Sequence, residues 1–227
     1  MQRAWGLLWK MPHVGLPMAL ASLLAVAALS AFPQVADGFS RYFDGAPIFL
    51  VLAAGATIGT LSIAVLRGQD WFQQAPNTTP VTLWGAMLFG VIIILADSLL
   101  RYPADINIAG PSALLFYPAI AIPAQAFLHL APLAALVFLA RRFGASNFWP
   151  PLLLASAIEP MFQVSGALTS GAFSSRDAFT MAHVYAFSVV EFLLLRRGGY
   201  AAMYGFRLCY YLVWHVLWGS ARLGVAW

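Results

Sequence analysis

Runs of about twenty residues with almost no charge recur along this chain, and they leave it little choice of solvent. A helix needs about 20 apolar residues to cross the hydrocarbon core of a bilayer. In hydrocarbon each backbone N–H and C=O must find a partner inside the protein, which a helix supplies along its own length. Seven stretches have adequate length: 15–32, 47–66, 81–101, 112–140, 147–170, 178–195 and 200–225. Only 9% of the 227 residues are charged and 62% are hydrophobic, where a soluble domain carries about 25% charged residues. The reading is an all-α fold: a polytopic transmembrane bundle of about seven spans. No repeat or composition shift divides it, so 1–227 is expected to be one integral membrane domain.

The connections carry the punctuation. Residues 1–12 read as an interfacial segment with Trp5 and Trp9 at headgroup level, because Lys10 and Pro12 break the apolar run a cleavable signal would need. Pro33 closes the first span, Arg67-Gly-Gln-Asp70 the second, and a polar connector, residues 73–80, precedes the third. The stretch 112–140 is long for one straight crossing and holds Pro118, Pro123 and Pro132. It is expected to form a short interfacial helix followed by a kinked crossing.

Positive residues agree on one orientation. With seven crossings, Arg3, Lys10, Arg67, Arg141, Arg142, Arg196 and Arg197 all fall on one side. The positive-inside rule makes that side cytoplasmic, with the N-terminus there and the C-terminus outside, as in a bacterial inner membrane. The excess of 12 Lys+Arg over 8 Asp+Glu is then an orientation signal and a contact for anionic lipid. It does not indicate nucleic acid, and the expected partners are membrane lipids. The one cysteine, Cys209, rules out an internal disulfide and a Cys-based metal cluster. No metal set is read from the other residues, and no spacing selects a cofactor.

Ionisable groups inside such spans are costly and mark candidate sites. Asp97 and Arg101 stand one helical turn apart near the end of the third span and are expected to meet as an i, i+4 pair. His129, Glu159, His183 and His215 fall on later spans, and depth counted at 1.5 Å per residue puts them with Asp97 in the outer half of the bundle. Glu159 needs a partner or a proton, and Pro160 beside it frees a carbonyl one turn back. Glu191 lies near Arg196 and Arg197 and reads as an interfacial salt-bridge residue. Arg207 either snorkels inward or pairs with Glu191. Two further chemistries are open at matching depth, neither carried by a tight motif: a haem between His183 and His215, and a Ser165–His215 dyad built on Val164-Ser165-Gly166.

The order acid–Arg, His, His on successive spans resembles the CPBP (CAAX-protease and bacteriocin-processing, or Abi) family of intramembrane proteases. Its motifs are Glu-Glu-x-x-x-Arg, Phe-x-x-x-His and His-x-x-x-Asn. Ala96-Asp97-Ser-Leu-Leu-Arg101 stands at the first, His129 at the second with Gln125 in place of Phe, and His183 at the third with Phe187 in place of Asn. The resemblance covers about residues 83–197. It implies a water activated by an acidic pair and an oxyanion held by the histidines and Asn, which would make Asp97, Arg101, His129, Glu159 and His183 the catalytic set. Glu159 would replace the missing second acid. The expectation is therefore a CPBP-like intramembrane protease or a catalytically weakened relative. The alternative is a non-enzymatic accessory or scaffold subunit of a larger membrane complex, touching other membrane proteins, pigments or lipids.

Overall fold

The computed structural model describes Ala25, Phe39, Phe43 and residues 45–73, 78–108 and 110–225. The interfacial segment 1–12 and, apart from Ala25, the first expected span 15–32 lie outside the described residues. No strand occurs among the described residues, and five helical stretches are long and apolar enough to cross a membrane: Ile48–Gly68, Thr79–Leu100, Ala113–Arg142, Trp149–Ser170 and Ser175–Arg222. The helices are α1 (Ile48–Gly68), α2 (Thr79–Leu100), α3 (Ala113–Gln125), α4 (Ala131–Arg142), α5 (Trp149–Ser156), α6 (Ile158–Ser170), α7 (Ser175–Tyr211) and α8 (Gly219–Arg222). Two π-helical turns, Ala126–Leu130 and Leu212–Trp218, join α3 to α4 and α7 to α8. The described residues form two compact units, those up to Phe72 with 115–148 and those within 73–114 with 149–225.

In the first unit α1 packs against α4 and the first π-helical turn. Gly55 makes one close approach possible, since a Cβ there would stand 3.1 Å from the Pro123 Cα. The expected break after a short interfacial helix is absent: α3 to α4 is one helical run. Pro132 lacks the N–H that would bond to the Leu128 carbonyl, and its ring crowds that carbonyl. The turn before it widens, and the Ala131 N–H bonds to the Ala126 carbonyl instead. The prolines reshape this helix without ending it.

The second unit carries most of the candidate residues. Pro160 likewise cannot bond to the Ser156 carbonyl, and the helix breaks at Ala157, whose N–H reaches back only to Leu154. Helix α7 begins in a capping box between Ser174 and Asp177. It then reverses at Gly199, where φ is 72° and ψ is −171°, values that a residue with a Cβ adopts only with strain. The side-chain pairs show an antiparallel hairpin: Glu191 meets Arg207, Phe187 meets Phe206 and Tyr210, and His183 meets Tyr210. Thr78 presses on the turn, with its Oγ1 close against the place where a Gly198 Cβ would stand.

Helix α2 lies along this hairpin, and Ala86, Ile93 and Ala96 share a buried core with Phe187, Leu194, Phe206, Tyr210 and Trp214. Its other face exposes Trp84, Leu88, Leu95 and Leu99, each at least 60% exposed. A contiguous apolar face of this kind suits lipid. Small residues set the spacing on the inner face, where a Cβ on Gly90 would come within 2.5 Å of Val213 Cγ1. Gly90→Ala is therefore expected to destabilise the protein by about 1–3 kcal/mol through overpacking. Thermal unfolding in detergent micelles measures this, and an unchanged midpoint would show that α2 does not pack there.

Candidate functional site

Arg207 is the centre of the second unit's polar groups. It lies two turns past the Gly199 reversal, where the hairpin turns it inward, and it is only 1% exposed. Its Nε and Nη2 donate to Glu191 Oε1 and Oε2 at 2.9 and 2.7 Å. Its Nη1 and Nη2 donate to Glu159 Oε1 and Oε2 at 3.0 and 2.8 Å. Nη1 also donates to the Tyr211 hydroxyl at 3.1 Å. All five guanidinium N–H groups are engaged, in two bidentate forks with carboxylates, the strongest hydrogen-bond geometry available to Arg. The Phe187 and Tyr211 rings flank the cation at 5.4 and 5.7 Å. Gln163, one turn beyond Glu159, donates to its Oε1 at 3.4 Å.

Two acids, one base and a phenol thus converge from α6 and both arms of the hairpin. Of the two readings of Arg207, pairing with Glu191 is the one observed, and Glu159 joins it. The interfacial reading of Glu191 is corrected: it is fully buried, because the reversal at Gly199 folds Arg207 over it.

Asp97 has different partners from those expected. It does not form the i, i+4 pair with Arg101, because α2 ends at Leu100 and Arg101 turns left-handed, with φ 53°. Arg101 is exposed. Asp97 instead accepts from Arg222 Nη1 at 2.9 Å, Trp218 Nε1 at 2.7 Å and the Tyr102 N–H at 2.7 Å. Arg222 also reaches the Pro103 carbonyl, so Asp97 fastens the end of α2 and its following loop to the end of the chain. In that loop Tyr102 shares a 2.7 Å hydrogen bond with Thr180. Burial is the largest influence on its phenol and raises its pKa, so it stays protonated at neutral pH.

His183 sits in an aromatic nest, stacked on Phe179 at 5.5 Å, edge-on to Phe89 at 5.2 Å, and 3.4 Å from the Tyr210 hydroxyl through Nε2. His129 belongs to the first unit, on its π-helical turn, and is fully buried. His215 lies on the second π-helical turn with Nδ1 2.8 Å from Asn107 Oδ1. The Tyr210 ring contacts both His183 and His215. Ser165 is exposed and donates to the Phe162 carbonyl of its own helix at 2.8 Å, so the Ser165–His215 dyad is not formed.

Sequence reasoning weighed Arg207 and Glu191 as a pair but did not place them in the candidate site, and it did not single out Asn107. A signal for the first two was present: three ionisable residues in otherwise apolar spans, with Gly198-Gly199 marking a reversal midway between Glu191 and Arg207. No family model, curated protein or solved structure matches this chain.

Proposed function

We propose that the chain is an intramembrane hydrolase of the CPBP-like protease type, or a catalytically weakened relative, whose acidic pair is Glu159 and Glu191. One observation carries the reading. Two carboxylates from different helices share the Nη2 of one buried guanidinium, which supplies the acidic pair that Ala96 and Asp97 do not. A carboxylate pair so held can activate a water as general base while its remaining lone pairs stay available. Arg207 orients the pair and is a positioning residue. The substrate class is a peptide segment within or beside the membrane.

The test is cleavage of an internally quenched apolar peptide by the purified protein in micelles, compared with Glu159→Gln and Glu191→Gln. A second reading has its own support: saturation of all five guanidinium donors is the geometry of a clamp between helices. On that reading the chain is a non-enzymatic scaffold subunit, and the amide variants leave its assembly unchanged.

The same proposal includes seven crossings, with the two arms of α7 as separate spans and 15–32 as the first. The N-terminus then lies in the cytoplasm of a bacterial cell. Each arm supports this by length, because about 23 helical residues span roughly 35 Å. Reporter fusions after Arg142 and after Arg197 are expected to read cytoplasmic, and an external reading at either site would reject the span count.

A further inference from the structure

Asn107 lies at the end of the 3₁₀ turn Ala104–Ile106, in the loop that Asp97 and Arg222 fasten down. It is 94% buried, since only 6% of it is exposed. Its Oδ1 is held by His215, while its Nδ2 is buried with no hydrogen-bond partner among the described residues. The helix is shaped to receive it: a Cβ on Gly219 would stand 2.9 Å from both Asn107 Cβ and Nδ2. An amide held at one end, with a buried N–H₂ left unanswered at the other, is a prearranged donor awaiting an acceptor.

His215 lies eight residues beyond Arg207 on the same face, about 12 Å of helix. Three or four residues of extended chain cover roughly that distance. We propose that Asn107 Nδ2 is a substrate-binding donor. It receives a backbone carbonyl oxygen of the peptide three or four residues from the bond positioned at Glu159 and Glu191. This rests on the hydrolase reading for the identity of the occupant, but the donor itself is read from the geometry alone.

Asn107→Asp is the discriminating variant, because Asp keeps an oxygen for His215 and lacks the N–H₂. Full-length protein in dodecyl maltoside micelles is titrated into a fluorescein-labelled apolar peptide of about twenty residues with a central Gly-Ser break. Anisotropy gives Kd, and cleavage of the quenched version gives KM and kcat. N107D is expected to raise Kd and KM about tenfold with kcat little changed, the signature of a lost contact remote from the reacting bond. G219A displaces Asn107 with every polar atom retained and is expected to give the same rise, which keeps the test sound if N107D folds poorly. Wild-type affinity in both variants, or no peptide binding by the wild type, overturns the proposal. Binding that depends on Asn107 without any cleavage would defeat the hydrolase reading and leave this one standing. Cleavage indifferent to Asn107 would do the reverse.

Discussion

Arg207→Leu is expected to destabilise the folded protein by about 3–5 kcal/mol. Leucine fills much of the space but removes five donors at once. Glu159 and Glu191 then lose their guanidinium at 6% and 0% exposure, and each must find a proton or water in a setting that supplies neither cheaply. Arg207→Lys is expected to fall between, since one ammonium cannot form two forks. The decisive comparison is the triple variant with Leu at 159, 191 and 207. Removing a whole buried ion cluster is far less harmful than breaking it, so the triple variant is expected to regain much of the loss. Unfolding of the micellar protein followed by circular dichroism measures all three. Arg207→Leu unfolding with the wild type would mean the forks contribute nothing.

The catalytic prediction separates acids that the sequence ranks differently. Glu159→Gln and Glu191→Gln are each expected to lower kcat by about 10²–10⁴-fold, the usual contribution of a general base. Their folds should persist, because an amide still offers an oxygen to Arg207 and the other carboxylate stays on the guanidinium. Asp97→Asn is expected to leave kcat within a few-fold and to show itself in stability, since Asp97 holds Arg222, Trp218 and the Tyr102 N–H. Cleavage that survives both glutamate variants and fails with Asp97→Asn would return the acidic role to Asp97. Undiminished activity in all three would leave the scaffold reading.

Apolar length was legible because it is a local property. A segment such as 79–100, whose single charge is Asp97, can satisfy its backbone in lipid as a helix along its own length, whatever surrounds it. Pro160 was also legible, since a proline removes a hydrogen bond four residues back regardless of tertiary context, and the helix breaks at Ala157. Pro132 shows the limit of that rule: the turn before it widened instead of ending. Which outcome follows depends on whether the neighbouring packing can take a wider turn.

Partner choice was not legible in the same way. Asp97 and Arg101 stand four apart, and on an unbroken helix they would meet. The helix ends between them, and Asp97 finds a guanidinium 125 residues further on. Sequence alone determined that Glu159 needs company in hydrocarbon, because the cost of a buried charge does not depend on the fold. That its company is Arg207, shared with Glu191, was decided by tertiary structure. The reversal at Gly199 brings residues sixteen apart face to face, and the break at Ala157 turns α6 toward them. Long-range pairing of this kind depends on where three helices cross, and no local pattern encodes a crossing.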